Sequence, residues 1–324
     1  MASTHDKDDF RAQARGIAEK HAQADQRQKR LLQGGIALLV VAVLVIAALV
    51  FWQVRSQRIP DSGPVPASAN QWGGIEMTAD GITKDSSDTD EVSADDAGDP
   101  PETPPETPPE TPEAEGIVEP GTAADSDEPV QIVIWQDFDC VHCAEFEEAH
   151  AEDLAKVVDA GEATVEYRTV NYLDNATYYS SRSAAAFYEV ANQVGTDEAL
   201  AFQEEMFTHQ GTGGLDDDEI VEIASKHGAD IEQAMDDQDW RPMVDYTSAT
   251  AQADGVNGTP TAMVDGVVWE QGSSLSEAVK AAAEGKDPNE AGGEASDSAS
   301  GGATESPSAS ASGSSTASAE PTEG

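Results

Sequence analysis

The sequence predicts an α/β domain over residues 117–285, with elements in the order strand, helix, strand, helical block, hairpin, helix. One N-terminal transmembrane helix carries it, and a disordered linker and tail flank it. Three observations predict this. A β-branched and aromatic run, Gln131-Ile132-Val133-Ile134-Trp135, gives way at Cys140-Val141-His142-Cys143 to the helical spacing of Phe146, His150, Leu154 and Val157. A long helical stretch broken by glycines then separates a second strand from an Asp265-Gly266 hairpin signal. On both sides the composition falls away into Pro, Glu, Ser, Thr and Gly, which cannot build a core.

From the N-terminus, residues 1–30 mix basic and acidic side chains with little apolar periodicity and read as a cytoplasmic tail. Gly34 to Trp52 contains no polar residue and at helical rise spans about 28 Å, close to the thickness of a bilayer's hydrocarbon core, so residues 31–53 are predicted to cross a membrane. A cleaved signal peptide fits less well, because the run is long for one and the nearest small-x-small site, Ala67-Ser68-Ala69, lies far beyond it. Arg27, Lys29 and Arg30 on the leading flank favour a single pass with the N-terminus in the cytoplasm and the domain outside the cell membrane. Residues 54–116 include three consecutive copies of Pro-Pro-Glu-Thr at 100–111 and are predicted to be a disordered, semi-stiff spacer. The less polar run Gly73 to Ile82 is read as unstructured with the rest. Residues 286–324 are predicted to be a disordered tail.

Within the domain, Thr164 to Val170 alternates as the second strand. Helices are expected over Tyr178 to Val194, Asp197 to His209, Asp216 to His227 and Ile231 to Asp254. Strands over Thr261 to Val264 and Val267 to Trp269 follow, then an amphipathic helix from about Ser274 to Glu284.

The chain has 63 acidic and 17 basic residues, a formal net charge of -46, which excludes nucleic acid as a partner for its bulk. Its only 2 cysteines are Cys140 and Cys143, so no disulfide-stapled scaffold exists and the pair reads as a reversible dithiol. Cys140 falls at a predicted helix N-terminus, where unsatisfied N–H groups and the macrodipole stabilise the thiolate that attacks disulfides. Cys143, one turn on, is placed to close the ring as the resolving thiol. His142 between them is expected to donate from its imidazole to the Cys140 thiolate, which would make the disulfide a better oxidant. No metal is expected, because two cysteines supply half of a zinc site and the histidines have no ligand spacing. No cofactor is implied.

The segment Asp137-Phe138-Asp139-Cys140-Val141-His142-Cys143, with Phe146 on the helix and Gly258-Thr259-Pro260-Thr261 before the hairpin, resembles the DsbA-like thiol–disulfide oxidoreductases, and the anchor and linker resemble its membrane-anchored actinobacterial members. The resemblance covers about Gln131 to Glu284. It implies a thioredoxin-like fold with a helical insertion, a cis bond between Thr259 and Pro260 beside the cysteines, and a substrate-binding role for both. It also implies reduced exported proteins as substrates and reoxidation by a membrane quinone-coupled thiol oxidase. Two departures stand out. Val141 replaces the usual Pro after the first cysteine, and Ile134 occupies the place, six residues before it, where related enzymes hold a buried acid; Asp137 and Asp139 are nearby, and the proton-transfer group is left open. A reductase or isomerase of the same compartment, or a non-catalytic binding module of the cell envelope, are the alternative readings.

Overall fold

The computed structural model describes residues 39–48, 59–98, 114–126, 128–211 and 213–290. In chain order its elements are helix α1 (39–48), strands β1 (Gly63–Pro64), β2 (Gly74–Thr78), β3 (Gly81–Ile82) and β4 (Glu91–Val92), and a short helix α2 (Thr122–Asp125). Strand β5 (Val130–Gln136), helix α3 (Val141–Asp159) and strand β6 (Ala163–Thr169) follow. The helical block is α4 (Tyr179–Gln193), α5 (Thr196–Phe207), α6 (Asp217–Lys226), α7 (Glu232–Asp237) and α8 (Arg241–Ala253). Strands β7 (Thr261–Val264) and β8 (Val267–Val268) and helix α9 (Leu275–Ala283) close the domain.

Strand order in the main sheet is β3-β2-β6-β5-β7-β8, with β5 and β6 parallel and the other pairs antiparallel. The parallel pair requires a crossover, and α3 supplies it. β5 is apolar at successive positions because both its faces are covered. Ile132 and Ile134 enter the main core, and Val133 and Trp135 enter a second cluster with Val170, Ala251, Val256 and Met263. The hairpin turns at Asp265 (φ 48) and Gly266 (φ 77), as a two-residue turn with both φ positive requires. Ser274 and Asp216 start α9 and α6 with capping boxes.

Two expectations are corrected. Residues 59–98 are not linker: β2 pairs with β6, Ile75 opposite Tyr167 and Met77 opposite Val165, and both apolar side chains are buried. Without β2, the backbone groups along that side of β6 would be an open sheet edge. The segment is fastened further by Tyr188 Oη donating to the Gly73 carbonyl (2.6 Å) and Ser68 N donating to Asn192 Oδ1 (2.7 Å). At Gly73 (φ 80) a Cβ would lie 1.8 Å from Thr247 Oγ1, so only glycine permits this approach. The folded unit therefore begins upstream of residue 117, although 99–113 lie outside the described residues. At the other end Asn289, expected in the tail, caps the edge strand, donating to the Val268 carbonyl and accepting from Glu270 N, both at 2.8 Å.

The second correction is the helix expected over Ile231 to Asp254, which is two. Gln238 adopts φ 57, and Pro242 lies in the first turn of α8, where its missing N–H costs nothing; inside a continuous helix it would break the ladder.

The predicted tail 1–30 and most of the span predicted over 31–53 lie outside the described residues. Residues 39–48 are helical with exposed apolar side chains, among them Leu39, Leu44 and Ile46. Among the described residues no helix is long and apolar enough to cross a membrane.

Candidate active site

The end of β5 and the start of α3 hold the two thiols. Cys140 is the N-cap of α3, in extended conformation (φ -88, ψ 116), and no side chain caps the helix there. The first-turn N–H groups thus face the Cys140 sulfur. Cys140 and Cys143 are unbridged and both buried. The Cys140 thiol is lowered to about 5, chiefly by a hydrogen bond from the Cys143 thiol. Burial opposes this, and the Thr259 side chain and the backbone N–H groups of Cys143 and His142 support it. Burial and the neighbouring Cys140 push Cys143 far above the ordinary thiol range, so it stays protonated as the hydrogen-bond donor.

His142 departs from expectation. Its imidazole is exposed, and Nδ1 lies 2.9 Å from Glu145 Oε2, one turn along the same face. That hydrogen bond and the charge of Glu145 raise the His142 pKa, with Cys140 a lesser through-space influence. The stabilising contact to Cys140 comes from the backbone N–H of His142 and not from its ring.

Thr259 and Pro260 sit beside the dithiol. The Thr259–Pro260 bond is cis, and Cys140 Sγ donates to the Thr259 carbonyl at 3.4 Å. Val141, in the place of the family's proline, is half exposed at the helix start.

Asp137 is completely buried. Its backbone N–H donates to Cys143 Sγ at 3.5 Å. Its carboxylate accepts from Asp139 N and Leu173 N, both at 2.9 Å. Burial raises it to about 6 against these bonds. Asp139 reaches the other way and accepts from Gly211 N at 3.0 Å. Phe138, between them, packs on Phe187 and Phe207 of the helical block. The three residues Asp137-Phe138-Asp139 thus fasten the insertion to the thiols.

A loop that the sequence reading passed over completes the rim. In residues 171–175, Leu173 N is held by Asp137, and Tyr172 Oη donates to the Val256 carbonyl at 2.6 Å. Leu173 itself is exposed. Leu173 and Val141 are the large apolar side chains exposed on the domain among the described residues, and both lie at this site. Among the described residues no group of three or more His, Cys, Asp and Glu could hold a metal ion. An activated thiolate beside a buried thiol one turn away performs thiol–disulfide exchange.

The thioredoxin family model matches residues 123–282. Among solved structures, the chain is similar to the reduced disulfide bond oxidoreductase DsbG of Mycobacterium tuberculosis, with 26% identity, 48% of this chain and 83% of that one covered, and a TM-score of 0.40. It is also similar to reduced DsbA of the same organism, at 26% identity over 48% of this chain and 87% of that one, TM-score 0.40. The MdbA thiol–disulfide oxidoreductase of Corynebacterium diphtheriae is 22% identical over 52% of this chain and 96% of that one, TM-score 0.42. None of the curated proteins matches the chain.

Proposed function

We propose that this protein-disulfide oxidoreductase, whose residues 123–282 belong to the thioredoxin family, donates disulfides to reduced proteins exported from the cytoplasm. The observation that carries the direction is the Cys140 thiol lowered to about 5 at an uncapped helix start. Stabilising the thiolate stabilises the reduced enzyme, and a stable reduced enzyme has an oxidising disulfide.

In the forward reaction a client thiolate attacks Cys140 Sγ, breaking the Cys140–Cys143 bond and forming a mixed disulfide. A second client thiolate then attacks the client sulfur of that bond and releases Cys140 as a thiolate. The client loses two electrons and the enzyme gains them. Thr259 and Pro260 border the sulfur under attack and are assigned to client binding. Reoxidation is assigned to a membrane quinone-coupled thiol oxidase. The apolar run Gly34 to Trp52 and the basic residues preceding it support a single-pass anchor with the domain outside the cytoplasm.

The test is the reduction potential of the full chain, equilibrated in glutathione buffers and read by thiol trapping. A value near about -120 mV marks a disulfide donor; one near about -270 mV would make it a reductase. Cys140→Ser is expected to abolish oxidation of a reduced client protein, and retention of the wild-type rate would refute the assignment.

A further inference from the structure

Along α3, Ala144, Glu147, Glu148, Ala151 and Glu152 recur at i, i+3, i+4, i+7 and i+8, and so form one stripe on the helix. The stripe lines a groove of about 520 Å³, whose other wall is Glu204 and Phe207 of α5 with Gln210 just beyond them. Glu148, Glu152 and Glu204 are exposed, and Ala144, Ala151 and Phe207 are the apolar part of the lining. Lys156 neutralises Glu152 at 3.0 Å. Among the described residues no lysine, arginine or histidine lines the groove itself.

The wall of the groove also holds acceptors that lack a donor. Glu147 is 5% exposed, and its Oε2 is buried without a hydrogen-bond partner. Gln210 Oε1 is likewise buried and unpartnered. Both atoms are oxygens, so what satisfies them is an N–H group. Burial, chiefly, raises the Glu147 carboxyl to about 7 and the like charge of Glu204 adds to this, whereas a cation in the groove would act against both. An arginine or lysine side chain meets every requirement: donors and positive charge at its head, and an apolar stem to lie on Ala144, Ala151 and Phe207. The stretches 99–113 and 291–324 of this chain contain no lysine or arginine, so neither can supply that side chain. A client can, because the groove starts beside the dithiol. Ala144 follows Cys143 directly, and its N–H donates to the Cys140 carbonyl at 3.3 Å.

Distance decides where on the client the basic residue stands. At about 1.5 Å of rise per residue, Glu147 and Glu148 lie about 10 to 12 Å along α3 from Cys140, which an extended segment at about 3.3 Å per residue covers in about three or four residues. We propose that the α3–α5 groove binds an arginine or lysine side chain about three or four residues from the reacting cysteine of the client, and so selects reduced clients whose cysteines have basic neighbours. This rests on the dithiol assignment above. The cation is seated while the client sulfur approaches and bonds Cys140 Sγ, so the selection acts on formation of the mixed disulfide.

The experiment mixes the oxidised full chain at neutral pH with reduced single-cysteine peptides, quenches with acid and follows the mixed disulfide by mass, each rate being expressed per peptide thiolate. Arginine is placed about three, four or ten residues from the cysteine, on either side, and neutral citrulline replaces it in matched peptides. At the short spacings, on one side of the cysteine, the arginine peptide is expected to react at least about fivefold faster than its citrulline match, and at the long spacing about equally fast. In the double variant Glu148→Gln, Glu204→Gln the short-spacing ratio should fall below about twofold. Glu222→Gln with Glu232→Gln removes the same charge from exposed positions on α6 and α7 and should leave the ratio as it is. Equal rates for arginine and citrulline at the short spacings overturn the inference. So does an equal loss in the two double variants, which would trace the preference to the overall field of the chain. If the groove variant does not fold, spacing decides, and a ratio that is the same at short and long spacing overturns the inference. Mixed disulfides with the citrulline peptides show the dithiol assignment to stand in each of these cases. A chain that forms none with any peptide sinks that assignment, and the inference falls with it.

Discussion

Cys140 and Cys143 are one residue type under opposite pressures. One sits at the end of a helix with its sulfur turned to N–H donors, the other one turn deeper with none of that exposure to the helix start. Iodoacetamide alkylation of the reduced chain, followed by mass, should therefore modify Cys140 with a midpoint near pH 5 and leave Cys143 unmodified to pH 9. The same lowering links to stability. The folded thiol is depressed from an ordinary 9.0 to about 5, so the thiolate's contribution is complete above pH 9 and is lost as pH falls towards 5. The melting temperature of the reduced form relative to the oxidised form should rise from pH 5 to pH 9, and a constant difference would contradict it. Asp137 acts through what it holds. Asp137→Ala leaves the N–H groups of Asp139 and Leu173 without their acceptor, and a loss of about 2 kcal/mol is expected in denaturant unfolding. Faster hydrogen exchange at Leu173 should accompany it.

Among the elements, β2 has little local support and a large tertiary return. It is short, and its neighbours in sequence are polar, yet it buries Ile75 and Met77 against β6 and completes the sheet on that side. Burial of those two side chains stabilises the fold by about 3 to 6 kcal/mol. A chain beginning at residue 99 should melt well below one beginning at residue 59 and aggregate through the uncovered edge of β6. Equal melting temperatures would show β2 to be dispensable. Arg168 explains why the approach of the segment is so close. It pairs with Glu166 at 2.6 Å, donates to the Glu115 carbonyl at 2.9 Å, and lies between the rings of Trp72 and Trp135. One buried cation thus joins β6, β5 and both ends of the chain stretch once read as linker.

For the molecule as a whole, 63 acidic against 17 basic residues mean that self-repulsion opposes compactness at neutral pH. Salt shortens the Debye length from about 10 Å at 0.1 M to about 3 Å at 1 M, so the melting temperature should rise over that range. The Cys140 alkylation midpoint should stay near 5, because hydrogen bonds with Cys143, Thr259 and two backbone N–H groups, which act at contact range, set it. A midpoint that moved with salt in parallel with the melting temperature would place its cause in the overall field instead.

What the sequence by itself determined is local in origin. The strand into Cys140, the helix after it, the Asp265-Gly266 turn and the Ser274 and Asp216 helix starts follow from signals carried within a few residues, and backbone conformation obeys such signals. Pro242 was such a signal for the break between α7 and α8, and the apolar period around it masked it. The tertiary structure alone decided the rest, because it depends on which distant groups meet. Leu173 reaches Asp137 across 36 positions, and β2 finds β6 across a Pro-rich stretch that suggests separation. His142 turned to Glu145 rather than to Cys140, because a carboxylate one turn along the same exposed face offers its imidazole a charged partner. Glu147 looks in sequence like one more carboxylate of an acidic helix. Only the covering of α3 by α5 and β6 removes it from water and raises its carboxyl above the ordinary range.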